Sequence, residues 1–127
     1  MAKIFLDANT CIDLVESRGT LYGTDLQGHE LVISPLSVHI LIYVTRHKIP
    51  YPTLSRLMKM FLITIFDQSV CDRSLIGPTD DFEDNAQLHS ASDAGCDAFL
   101  TRDKKLLSLR FFGATKIIQE LKTLHKK

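Results

Sequence analysis

The chain reads as an α/β protein whose core is a mostly parallel sheet of four to five strands. Three observations predict this. Apolar runs such as Ile4-Phe5-Leu6 and Ala98-Phe99-Leu100 are short and unbroken, as strands buried on both faces of a parallel sheet are. Stretches of helical character separate them. The alternation persists along the whole chain without repeats, low-complexity segments or a linker, so the 127 residues make one domain.

The first apolar run stops at Asp7, and a helix is expected directly after it. Asn9 is placed to cap that helix, with Ile12, Leu14 and Val15 on its inner side. Asp7 therefore stands where a buried strand gives out, the edge at which open α/β sheets bind ligands. A carboxylate there must stay hydrated, be paired or bind a cation. Gly19, Gly23 and Gly28 break the next stretch into a loop with room for one short helical turn. Residues 30–34 read as the second strand. Ser34 as cap and Pro35 at the first position then start a helix over 36–46. Val38, Ile40, Leu41, Ile42 and Tyr43 cover most of its circumference, which points to burial on more than one side and to a subunit interface.

Pro50 and Pro52 end that helix and start another, carrying Leu54, Leu57, Met58 and Phe61. The β-branched, alternating stretch 62–66 predicts a third strand. A short helix over 68–75 is closed by Gly77-Pro78. Asp80 and Glu83 have capping-box spacing ahead of a helix with Ala86, Leu88 and Ala91 inside, and Gly95 stops it. Ala98-Phe99-Leu100 follows as a strand, then Thr101-Arg102-Asp103. A strand near 116–118 and a basic helix over 120–127 complete the chain.

The bulk composition narrows the function classes. Formal net charge is zero, so any anionic polymer must meet a local basic patch. Cys11, Cys71 and Cys96 are odd in number and widely spaced, which argues against a disulfide framework and a structural zinc site. Cys11 reads as a small core residue. No apolar run is long enough for a membrane span. Met-Ala-Lys leads straight into the first strand, so no signal peptide and a cytoplasmic home are expected.

The carboxylates carry the chemistry. Helices in such folds run antiparallel to the strands, so helix starts and strand ends share an edge. Asp7 and Asp103 follow strands and Asp84 sits in a first helical turn, so all three project toward that edge. Converging carboxylates repel, and a hard divalent cation, Mg²⁺ or Mn²⁺, is the usual remedy. Such an ion activates water and clamps a phosphodiester. Plainer readings stand beside this one. Asp7 alone would serve as a helix cap, and Asp84 as a first-turn acid favouring the helix dipole. Asp80, Asp81 and Glu83 suit capping and surface charge, and Asp13 suits solvent or a local pair. His39 and His89 suit packing roles. Arg102, Lys104 and Lys105 flank the edge and either hold RNA phosphates or form a solvated loop. Lys122, His125, Lys126 and Lys127 read as a solvated tail.

Ile-Phe-Leu-Asp-Ala-Asn-Thr-Cys-Ile-Asp-Leu, Asp-Phe-Glu-Asp-Asn-Ala-Gln-Leu and Ala-Phe-Leu-Thr-Arg-Asp-Lys-Lys-Leu occur in that order across nearly the whole chain. Together they resemble the PIN-domain family, metal-dependent ribonucleases that include VapC-type toxins. The resemblance implies an α/β/α sandwich and assigns Asp7, Asp84 and Asp103 as acidic metal ligands. Asn9 and Thr101 match supporting polar positions, and Asp81 is a further candidate for support. One position departs. The family's glutamate in the helix after the second strand falls on Ile40, beside His39, and no acid occurs from Leu31 to Phe66.

The resemblance implies an Mg²⁺- or Mn²⁺-dependent endoribonuclease acting on RNA. It also implies a toxin of a toxin–antitoxin pair, held by an antitoxin protein and dimeric through its apolar helices. The alternative is a degenerate PIN-like module that binds RNA or a protein without cleavage, since isoleucine cannot ligate metal. A metal-dependent phosphatase or DNA nuclease on a similar acidic edge is the third reading.

Overall fold

The computed structural model describes residues 1–16 and 26–122. The expected loop at Gly19 and Gly23, and residues 123–127 of the expected basic helix, lie outside them. Six strands form one sheet: β1 (Lys3–Leu6), β2 (Glu30–Ile33), β3 (Phe61–Ile63), β4 (Ala98–Leu100), β5 (Phe111–Phe112) and β6 (Thr115–Ile118). Their spatial order is β3-β2-β1-β4-β6-β5. Every neighbouring pair is parallel except β5 with β6. The extra strand beyond the expected four to five is β5, whose two residues are too short for a periodic signal. Gly113, at φ +61°, turns it back onto β6.

Among the described residues, six α-helices connect the strands, α1 (Ala8–Val15), α2 (Pro35–Thr45), α3 (Pro52–Leu57), α4 (Gln68–Ser74), α5 (Phe82–Asp93) and α6 (Lys104–Leu109), with a 3-10 turn over Met58–Met60 leading into β3. They cover both faces of the sheet. On one face Ile4, Leu6 and Ile33 pack with Ile12 of α1, Leu41 of α2 and Leu54 of α3. On the other, Phe5, Val32 and Phe99 pack with Leu88 of α5 and Leu106 of α6. The unbroken runs Ile4-Phe5-Leu6 and Ala98-Phe99-Leu100 thus supply both layers at once. The Phe5 and Phe99 rings stack at 5.2 Å between centroids across the β1–β4 pair. None of the described helices is long and apolar enough to cross a membrane.

Local chemistry corrects several expectations. Helix α1 is capped by Asp7, whose side chain accepts the Thr10 N–H, and Asn9 lies exposed within the first turn. Helix α2 starts as expected, with Ser34 accepting the Leu36 N–H at 3.1 Å and Pro35 following. Its expected all-round burial is not met within the chain. Ser37 and Leu41 are its buried residues, and Tyr43 is 75% exposed.

The β3 strand begins one residue early, at Phe61, and leaves the sheet soon after the Thr64 N–H bonds the Ile33 carbonyl at 2.9 Å. Its partner β2 ends there, and Pro35 has no N–H to prolong the ladder. Helix α5 is capped by Asp81, not Asp80. Asp81 is extended and accepts the Asp84 N–H at 2.9 Å. Helix α6, which the pattern did not announce, is capped by Asp103.

Candidate active site

Asp7 is the residue at which β1 becomes α1, and it is only 6% exposed. A lone buried carboxylate would be costly, so its partners matter. One oxygen accepts the Thr10 N–H at 2.7 Å; the other accepts the Thr101 hydroxyl. Thr101 directly follows β4, which pairs with β1, and it is fully buried. Its hydroxyl oxygen also accepts the Asp103 N–H at 3.0 Å. Asp103 in turn accepts the Lys105 N–H at 2.8 Å and the Leu106 N–H at 3.3 Å, the cap of α6. One hydroxyl therefore joins the caps of two helices that start at adjacent strand ends.

Asp84 comes to the same edge from α5. Its carboxyl is pushed up from the ordinary 3.8 to about 6, first by burial and then by the negative charges of Asp81, Asp103, Asp7 and Glu83. Asp7 and Asp103 thus lie near enough to Asp84 to disfavour its charge. A contact made by Gln87 secures this approach. Its side-chain oxygen accepts the Ala8 N–H at 2.7 Å, and its amide donates to the Glu83 carbonyl at 3.3 Å. Gln87 is buried and latches α5 to the first residue of α1. Asn85 and Ser90 are buried on the same helix, so the sequence pattern did not single Gln87 out.

A cleft of about 330 Å³ opens at this edge. Asp7, Asp103 and Asn9 supply its polar wall, and Ile12 of α1 and Val44 of α2 its apolar one. The Arg102 guanidinium donates to Asp13 across the cleft, so neither is a free charge. Among the other candidate RNA contacts, Lys104 is exposed. The Lys105 ammonium lies 3.7 Å from Asp80, both largely in solvent.

Ile40, at the position the resemblance gives to glutamate, is half-buried and packs against the core that contains Ile12. Val44, one turn further along α2, shares the cleft wall. So α2 brings hydrocarbon to the edge where α1, α5 and α6 bring carboxylates. His89 bonds the Gly77 carbonyl at 2.9 Å and meets Phe112 edge-on, a packing role. Cys11 is buried, its thiol pushed up to about 12 by that burial and by Asp7.

The donor set tests whether a hard cation suits the edge. Among the described residues no three Asp, Glu, His or Cys side chains are gathered tightly enough to hold an ion together. Mg²⁺, however, is commonly held by one or two carboxylates, with waters completing the shell. Asp7 and Asp103 on one cleft, with Asp84 repelled by both, fit that looser arrangement in donor type and charge.

No protein-family model matches the chain. No curated protein matches it either. A solved structure, PAE2754 from Pyrobaculum aerophilum, is similar to it with a TM-score of 0.58 and 18% identity, over 97% of this chain and 92% of that one. The likeness is one of fold, over nearly the full length of both.

Proposed function

We propose that the protein is a metal-dependent endoribonuclease of the PIN-domain type, with Asp7, Asp84 and Asp103 as its acidic edge. One observation supports the reading: Asp7 and Asp103 line one cleft at the carboxyl ends of β1 and β4, with Asp84 of α5 near enough for its charge to be disfavoured by both. When bound, Mg²⁺ or Mn²⁺ would supply the polarised water and neutralise charge on the scissile phosphate. Asp7 and Asp103 would hold it, each kept in place by hydrogen bonds to its own helix cap. Asp84 would add a third carboxylate to the ion's surroundings, where the cation would relieve the repulsion it feels from Asp7 and Asp103. Lys104 and Lys105, with the Arg102–Asp13 pair beside them, offer salt-dependent contacts to RNA phosphates. By the same resemblance the protein would be a cytoplasmic toxin restrained by an antitoxin protein.

The test is RNA cleavage by purified protein with Mn²⁺ or Mg²⁺ titrated in, beside Asp7→Asn. Turnover that requires the ion and disappears in the variant supports the enzyme. A specific observation favours a second reading, a degenerate module that binds RNA or a protein. Helix α2 lines the cleft with Val44, places Ile40 one turn before it, and carries no acid of its own. RNA binding without turnover at any metal concentration would select that reading.

A further inference from the structure

The chain has no net charge, yet residues 31–66 hold Arg46, Lys48, Arg56 and Lys59 and no Asp or Glu. That stretch is the local positive excess an anionic polymer would need on a neutral protein. All four side chains are exposed, and among the described residues none of them forms an ion pair. Arg46 and Lys48 stand at the end of α2, where Val44 belongs to the wall of the acidic cleft. Lys59 precedes the start of β3, at the edge of the sheet opposite the cleft.

The end of α2 has further features. His39 and Tyr43 are one helical turn apart on a shared face, and both are exposed, Tyr43 at 75%. Their rings lie 24° from parallel with centroids 6.4 Å apart, two flat surfaces in a row. Arg46 then closes the helix at φ +59°, in the left-handed region where glycine is usual. Backbone strain of this kind gathers at ligand clamps and active sites. The turn that follows is pinned to α1: His47 Nε2 lies 2.7 Å from Glu16, and the His47 ring stacks on Tyr51 at 4.0 Å. Arg46 and Lys48 are thus presented on a tethered turn beside the cleft.

We propose that this end of α2 binds a single-stranded flank of the RNA whose scissile phosphate enters the cleft, an inference that rests on the endoribonuclease reading. Bases of the flank stack on Tyr43 and His39, and Arg46 and Lys48 hold its phosphates. Unpaired bases offer the ring faces that such stacking needs, whereas a duplex keeps them hidden. An acidic protein would meet the same cations, but the paired rings leading to them favour a nucleic-acid strand. The surface is separate from Arg102, Lys104 and Lys105, which follow β4.

Fluorescence anisotropy with the full chain and no added metal measures binding of a labelled, unstructured RNA of about ten nucleotides, free or in a duplex. The single strand should bind at least about tenfold more tightly than the duplex. Tyr43→Ala should weaken it by about five- to a hundredfold, the effect of one stacked base. Arg46→Gly should also weaken it and reduce the salt slope by about 0.7, as one phosphate contact is lost. That variant should melt no lower than wild type, because glycine takes the left-handed turn freely. Lys48→Gln should reduce the slope equally, and Lys59→Gln should change nothing. Equal affinity for duplex and single strand overturns the proposal, as does unchanged affinity in Tyr43→Ala and Arg46→Gly. So does binding of polyglutamate in place of RNA, or a dimer lost in Tyr43→Ala with RNA affinity intact. Cleavage of the same RNA under Mn²⁺ is read separately. Binding that the variants lose, with no RNA cut by wild type, removes the endoribonuclease reading and leaves this surface standing.

Discussion

The Thr101 hydroxyl donates to the Asp7 carboxylate while accepting the backbone N–H of Asp103, so one side chain sets the position of both acids. It lies in the fully buried first position after β4, where its orientation is fixed by packing. Thr101→Val keeps the shape and removes both bonds. It should destabilise the fold by about 1–3 kcal/mol, because a buried carboxylate oxygen and an amide each lose a partner. Thr101→Ser should stay near wild type. Denaturant unfolding of the three proteins measures the difference, and a Val variant as stable as wild type would refute the role.

Gln87 holds α5 against the start of α1 through the Ala8 N–H. Gln87→Leu fills the same space without the acceptor, and about 1–3 kcal/mol of stability should be lost with that unmet amide. The Ala8 amide should also exchange faster with solvent. Unchanged exchange there would mean another group satisfies it.

Asp84 makes stability depend on pH. Its carboxyl is raised by folding, from 3.8 to about 6, so the folded state binds the proton more tightly than the unfolded one. The sign follows: stability falls as pH rises from about 4 to about 6 and is then level as far as this group is concerned. Asp84→Asn should therefore match wild type below pH 4 and be the more stable protein above pH 6. Thermal melts across that range decide it; a gap of constant size would rule out Asp84 as the cause.

Protons and a divalent cation compete for the same acids. Mn²⁺ should raise the melting temperature more at pH 7.5 than at pH 5, and Asp7→Asn should remove most of that gain. Cleavage of RNA, if it tracks the same ion, should fall at least about a hundredfold in Asp7→Asn, since a metal's charge stabilisation amounts to several kcal/mol. A melting shift indifferent to pH and to Asp7 would locate the ion elsewhere.

Ile40→Glu places a carboxylate where α2 now offers hydrocarbon. We expect Mn²⁺ affinity to rise about tenfold, equivalent to about 1.4 kcal/mol, read by calorimetry. No gain would mean that residue 40 does not face the acidic edge.

Much of this was legible in the residues themselves. The short apolar runs at Ile4 and Ala98, the Ser34-Pro35 helix start and the order of Asp7, Asp84 and Asp103 along the chain announce a parallel α/β sheet with acids at its edge. The reason is that strand burial, helix capping and proline geometry act within a few residues, and neighbours in sequence report them. The caps fall on Asp7 and Asp81 rather than on Asn9 and Asp80, because the extended backbone at Asp7 and Asp81 aims those side chains at the free amides of the first turn. Other features belong to tertiary structure alone. The Thr101 link, the Gln87 latch and the Arg102–Asp13 pair join positions 94, 79 and 89 residues apart, and the hydrophobic face of α2 meets the cleft only once the layers close. Sequence chose the parts and their local conformations; long-range packing decided which charges would confront one another.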